Sequence, residues 1–198
     1  MRVLPCGERA VLLEVADQRA AHALARALAG APGVIDVVPA SRTVLVTSED
    51  PDGVRALAAG LPLDEASTAE VGEEVVIDVR YDGEDLDEVA RLTGLTRAEV
   101  IARHTGATYT ADFLGFAPGF AYLSGLDPAL HVARLDTPRT SVPAGAVAIA
   151  GDKAAVYPRS SPGGWRLLGH TGAVLFDPEV EPPALLQAGA RVRFREVG

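Results

Sequence analysis

Residues 138–172, PRTSVPAGAVAIAGDKAAVYPRSSPGGWRLLGHTG, place Arg139, Ser141, Asp152, Lys153, Tyr157, Arg159, Ser160, Ser161 and His170 in or beside turns between short β-prone runs. An arginine and a lysine at one mouth could hold a carboxylate or a phosphate. Lys153 is the only lysine beside 17 arginines. Lysine can shift its pKa and act as a base where arginine cannot, so Lys153 is a candidate catalytic or orienting group. A free imidazole titrates near neutrality, which makes His170 the candidate proton carrier. Arg139 and Tyr157 complete the polar set. β-hairpins with Gly and Pro turns explain the same stretch without any site, and a solvated loop explains any one of its charges.

A second stretch, DFLGFAPGFAYLSGL (residues 112–126), holds three of the chain's five phenylalanines, Phe113, Phe116 and Phe120, followed by Tyr122. Core packing accounts for any single ring. It accounts less well for Gly115, Pro118 and Gly119 among them. Glycine permits unusual φ and close approach of backbone, so Phe116 and Phe120 read as apolar walls beside a ligand or partner. Trp165 fits a stacking role and a packing role equally.

Much chemistry is excluded. There is no G-x-x-x-x-G-K-[ST] phosphate loop, no G-x-S-x-G elbow and no H-E-x-x-H helix. The four histidines, 22, 104, 131 and 170, lack ligand spacing, so no metal site is expected. His104 ends an expected helix, where an imidazolium would suit the helix dipole. Cys6 is the sole cysteine, which forbids an internal disulfide; it reads as a packed thiol. A net charge of −9 argues against nucleic acid. No apolar run is long enough for a membrane span, and the start lacks an apolar signal core, so the chain is expected to be cytoplasmic.

The elements that must position these groups fall into two sets. RAVLLEV, GVIDVVPA and RTVLVTSED read as strands, and QRAAHALARALAG as a helix with Asp17 as N-cap. DPDGVRALAAGL is a second helix with Pro51 in its first turn. The order suggests a split β-α-β sheet, with EEVVIDVRYD as its fourth strand or the start of the next unit. LDEASTAEVG (residues 63–72) is the expected boundary. Two short helices follow, with Asp85–Glu88 and Thr96–Glu99 spaced as capping boxes. They resemble a helix-turn-helix, but the acidic context rejects DNA binding. Beyond residue 115, AVAIAG, AAVYP, WRLLGH, AVLFDP and ARVRFREV are short strands suited to a closed or nearly closed barrel.

At LGFAPGFAYLSGL, TPRTSVPAGAVAIAG and VYPRSSPGGW the sequence resembles the family of 5-oxoprolinase B subunits, also labelled allophanate hydrolase subunit 1. That family includes the Kip-type inhibitor of a sporulation histidine kinase. The same module occurs in the carboxyltransferase part of urea carboxylase. The resemblance runs from GERAVLLEV to AGARVRF. It implies an α+β fold: a small ferredoxin-like N-terminal domain (1–70), then a cyclophilin-like β-barrel domain (71–198). It implies partners too, a related cyclophilin-like barrel subunit and a lactam-utilisation-type subunit. The implied reaction is ATP-driven opening of 5-oxoproline to glutamate, with ATP used by the complex and supplied through a partner. The alternatives are a non-catalytic inhibitor of a sensor histidine kinase, a scaffold completing its partner's site, and an allophanate or urea-carboxylase-type carboxyltransferase subunit.

The chain departs from the family's AGGQTGIYP by reading AGDKAAVYP. Asp152, Lys153, Ala154 and Ala155 stand where the family has Gly, Gln, Thr and Gly, and His170 stands where it often has Arg. The sequence-level site is therefore His170 and Lys153 as catalysts, with Arg139, Tyr157, Phe116, Phe120 and Trp165 binding substrate, all on one concave mouth.

Overall fold

The computed structural model describes residues 1–61 and 74–198, and the chain forms two compact units, Met1–Glu70 and Val71–Gly198. The expected boundary segment, residues 63–72, lies outside the described residues.

In the first unit β1 (Arg2–Pro5), β2 (Ala10–Glu14), α1 (Gln18–Leu28), β3 (Val34–Pro39), β4 (Thr43–Ser48) and α2 (Pro51–Gly60) follow in order. The Asp17 side chain caps α1 by accepting from Ala20 N–H, and Asp50 caps α2 through Gly53 N–H. The sheet order is β1-β2-β4-β3, antiparallel throughout, so β2 and β3 run parallel on either side of β4 with α1 joining them. Val11, Leu13, Val44 and Val46 pack on Leu24, Leu28 and Val54 of the helices. The sheet differs from the expected ferredoxin-like unit at one edge. Its fourth strand is the N-terminal β1, hairpinned to β2, and the segment after the boundary opens the next unit, the second of its two expected roles. Cys6, expected to be packed, sits exposed in that hairpin turn.

The second unit begins with β5 (Glu74–Val79), then α3 (Leu86–Thr93), α4 (Arg97–Gly106), β6 (Tyr109–Leu114), β7 (Ala121–Ser124), β8 (Arg139–Val142), β9 (Ala146–Ala150), β10 (Lys153–Val156), β11 (Ser161–Gly163), β12 (Arg166–His170) and β13 (Arg191–Glu196). Seven strands form one sheet in the order β12-β9-β10-β7-β6-β13-β5, and β8 pairs β11 as a separate ribbon. β5 runs parallel to β13, which is why it does not return to the first sheet. The expected strand at residues 173–178 carries only an isolated bridge, Phe176 to Ala184, where nearby prolines remove ladder donors.

The sheet nearly closes into a barrel because the chain leaving β5 lies along the opposite edge strand. Arg80 and His170 exchange both backbone hydrogen bonds at 2.9 Å, and Gly83 and Asp85 N–H donate to Leu168 and Leu167 carbonyls. Backbones approach here so closely that a Cβ at Gly169 would overlap the Arg80 carbonyl, and one at Gly83 the Leu167 carbonyl. Inside, Val147, Ile149, Ala154, Val156, Leu123, Val192 and Phe194 form one core with α3 and α4. Val192 and Phe194 face in while Arg193 and Arg195 face out, as the alternation of β13 requires.

His104 belongs to that core rather than to a helix-end charge. It is fully buried and stacks on Phe194 at 4.5 Å, and its Nδ1 lies 2.6 Å from the Tyr81 hydroxyl. Burial lowers its pKa from 6.5 to about 3, so the ring is neutral. The Thr96–Glu99 capping box forms as expected; the Asp85 one does not.

Two outcomes follow from these contacts. Gly169→Ala should lower unfolding free energy by roughly 1–3 kcal/mol in urea titrations, the scale of an overpacked site; wild-type stability would show the seam to be loose. For His104 the folded pKa is depressed, so stability is full above about 6.5 and falls as pH drops towards about 3, by about 1.4 kcal/mol per unit. Between pH 6.5 and 5, before most carboxylates titrate, His104→Phe should flatten that slope; an unchanged slope would contradict the buried neutral ring.

Candidate functional site

The outer face of the barrel sheet carries a second, smaller apolar cluster. Pairing places Ala146 and Ala148 of β9, Ala155 of β10, Tyr157 just beyond it and Leu167 of β12 on this face, and Val142 of the β8–β11 ribbon and Phe120 cover them. Alanines make the floor shallow, so rings can lie directly on it.

The rings form a connected line. Phe113 stacks on Tyr122 at 4.4 Å; Tyr122 meets Phe120 at 5.0 Å and Trp165 at 5.8 Å. Phe120 meets Trp165 at 5.8 Å, Tyr157 at 5.3 Å and Phe116 at 5.2 Å, all edge to face. Such pairs contribute about 0.5–1.5 kcal/mol each beyond burial. Phe120 and Tyr157 are interior, each 2% exposed, whereas Phe116 is 60% exposed. Burial raises the Tyr157 pKa, opposed by a hydrogen bond from the Trp165 backbone. Phe116 is the only non-glycine residue at positive φ (69°) among those described. A left-handed non-glycine residue is strained by about 1–3 kcal/mol, a feature that gathers at ligand clamps. The turn is wedged from below: a Cβ at Gly119 (φ 78°) would come 2.7 Å from the Leu175 carbonyl oxygen and 2.7 Å from the Phe176 Cβ.

Polar groups flank this shelf on two sides. On the β12 side, Arg139 Nη2 donates to both Asp85 oxygens at 2.8 and 2.9 Å, Nε lies 2.6 Å from Glu84, and Nη1 donates to the Trp165 carbonyl at 3.3 Å. Asp85 is 6% exposed and also accepts the Leu167 N–H at 2.7 Å. Burial opposes the Arg139 charge, but the Asp85 and Glu84 carboxylates more than offset it and hold its pKa above the ordinary value. Farther along β12, His170 Nδ1 lies 2.7 Å from Asp82 Oδ1, both about half exposed. On the β6 side, Lys153 Nζ donates to Asp112 Oδ2 at 2.6 Å, and Ser124 Oγ donates to Asp112 Oδ1 at 2.5 Å.

The rings and the 139–170 hairpins therefore meet, but the polar residues do not form the single mouth expected. His170 pairs with Ala146 and Lys153 with Ala150, opposite ends of β9, about 13 Å apart along the strand. The Lys153 amine also reaches away from β9, across β7 to β6. One small molecule cannot touch both. Arg139 and Lys153, expected as anion holders, are each neutralised by carboxylates of this chain. Sequence reasoning misses those carboxylates. The spacing of Asp85 suggests a helix cap, yet its carboxylate makes no cap bond. Asp112 and Ser124 show only as polar punctuation in an aromatic run; Asp112 directly before Phe113 and Ser124 at same-face spacing from Tyr122 are the available signal.

A barrel of this connectivity, carrying its rings and charges on the outer face, belongs with carboxyltransferase-type modules. The carboxyltransferase domain, subdomain C and D, matches residues 1–186. The chain is 39% identical over 202 residues to the B subunit of 5-oxoprolinase from Escherichia coli O157:H7, spanning 95% of this chain and 92% of that protein. It is 42% identical to the corresponding 5-oxoprolinase B subunit of Bacillus subtilis (strain 168) over 82% of this chain and 75% of that one. Among solved structures, TTHA0988 superposes with a TM-score of 0.85 at 41% identity over 96% of this chain; the chain spans 40% of that longer protein. The chain belongs to the family of 5-oxoprolinase B subunits.

Phe116 gives a direct check on the shelf. Phe116→Ala keeps the left-handed strain and removes the ring, whereas Phe116→Gly relieves the strain. The glycine variant should melt higher than the alanine variant, by a difference of about 1 kcal/mol. Equal melting would show that the turn is unstrained.

Proposed function

We propose that this chain is one subunit of an ATP-dependent amidohydrolase, specifically a 5-oxoprolinase that opens 5-oxoproline to glutamate. Its similarity to proteins named as the B subunit of 5-oxoprolinase, across nearly the whole chain, carries this reading. The working unit includes a related cyclophilin-like barrel subunit and a lactam-utilisation-type subunit, and this chain's own barrel is of the cyclophilin-like kind.

Its contribution is to hold the cyclic amide. The exposed Phe116 and the half-buried Phe113, Tyr122 and Trp165 offer apolar faces to a small ring, and Phe120 and Tyr157, expected to bind substrate, are buried behind them as support. The shelf is poorly suited to a triphosphate: Arg139 is paired with Asp85 and Glu84, Lys153 with Asp112, and the exposed carboxylates Asp82, Glu84 and Asp152 outnumber the one exposed arginine nearby, Arg159. ATP is therefore assigned to a partner subunit. A lactam resists water because amide resonance lowers the electrophilicity of its carbonyl, so a nucleotide-driven activation elsewhere in the complex suits a chain that positions and does not phosphorylate. His170 can serve as proton carrier only for a group delivered to the Ala146 end of β9, such as one presented by a partner.

Purification with the two partner subunits, followed by an assay of phosphate release, tests the assignment. Release should require 5-oxoproline and all three subunits, and removal of this chain should abolish it. Release that is indifferent to this chain, or none with the full set, would overturn it.

A further inference from the structure

The Asp112–Lys153–Ser124 cluster is a polar group beside the shelf whose lysine stands where the family has another residue. Asp112 is 3% exposed on β6. Its carboxylate takes a proton donor on each oxygen, Lys153 Nζ on one and Ser124 Oγ on the other. Lys153 also lies 3.4 Å from Asp152. Its positive charge is thus cancelled locally, and an anion gains nothing by approaching it.

The hydrogen-bonding capacity is not exhausted. An ammonium has three N–H donors, and a serine hydroxyl that gives its hydrogen to a carboxylate keeps lone pairs to accept with. Both groups are held by one carboxylate, Lys153 on one oxygen and Ser124 on the other, so a donor and an acceptor converge on the same residue. Neither is closed off: the Lys153 side chain is 23% exposed and Ser124 is half-buried. The rings begin immediately alongside. Phe113 follows Asp112 in the chain, and Tyr122 lies two residues before Ser124 on the same face of β7, about 7 Å away.

We infer that Lys153 and Ser124, positioned by Asp112, form a subsite for an uncharged cis amide. Its carbonyl oxygen accepts from Lys153 Nζ and its N–H donates to Ser124 Oγ, while its ring lies on the Phe113–Tyr122 pair. A lactam presents C=O and N–H on one edge; an open-chain trans amide presents them on opposite edges and satisfies only one partner. The subsite therefore selects cyclic over open-chain amides. This rests on the reading that the shelf holds a small cyclic amide.

The chain carries its own two probes, since Lys153 is its only lysine and Trp165 its only tryptophan. The full chain, labelled with 15N-lysine, is titrated with 2-pyrrolidinone and with N-methylacetamide while the Nζ resonance and Trp165 emission are followed. Both probes should saturate together with 2-pyrrolidinone, and N-methylacetamide should need at least tenfold higher concentration. Ser124→Ala should weaken 2-pyrrolidinone at least fivefold and Ser124→Thr restore it, with Trp165 emission of the free protein unchanged; Asp112→Asn should move the free Nζ resonance. A Trp165 response with a silent Nζ overturns the subsite and leaves the shelf reading standing. Silence of both probes overturns both, and equal binding of the two amides overturns the cis-amide selection.

Discussion

The second unit depends on how one edge of its sheet meets the other. The chain leaving β5 runs back along β12, and glycines at 83 and 169 let the two backbones touch. Asp85 locks that seam from the side, accepting the Leu167 N–H and bonds from the Arg139 guanidinium on both oxygens. Its carboxylate is nearly buried, so removing Arg139 would leave an uncompensated charge, a far larger loss than an exposed ion pair represents. Arg139 in turn donates to the Trp165 carbonyl, and Trp165 packs on Phe120 and Tyr122. The aromatic shelf is thus tied to barrel closure through one guanidinium.

This dependence changes what the charged residues near the shelf mean. Arg139 is positive and close to the rings, yet its donors are spent on holding the fold. Lys153 is likewise committed to Asp112. Exposed carboxylates stand at the rim, Glu84, Asp82 and Asp152, and the exposed Arg159 follows Tyr157 by two residues. An apolar shelf with few free cations suits a small ring of low charge better than a nucleotide with its several phosphate charges.

Local signals in the sequence are legible where the physics is local. The Asp17 cap of α1, the Thr96–Glu99 box and the alternation of β13 depend on residues within a few positions, and each appears as read. The meeting of the Phe116 turn with the 139–170 hairpins is legible because both segments are ring- and glycine-rich. Pairings across long separations are not. Asp85 reaches Arg139 over 54 residues and Lys153 reaches Asp112 over 41. Nothing in the periodicity of either segment names its partner. His104 carries a signal that points the wrong way: a helix-end histidine reads as a surface cation, and only the arrival of Phe194 and Tyr81 makes it a buried neutral ring. The edge strand of the first sheet is missed for a related reason. Arg2–Pro5 is too short to stand out, while Glu74–Val79 is a strong strand whose parallel partner lies at the far end of the chain.

Native-state hydrogen exchange of the Leu167, Arg80 and His170 amides tests the seam most directly. If closure supports the shelf, these three amides exchange only with the free energy of global unfolding, together with the core amides of β9. Exchange several kcal/mol more readily than β9, through local opening, would show that the barrel holds without its seam and that the shelf does not rest on it.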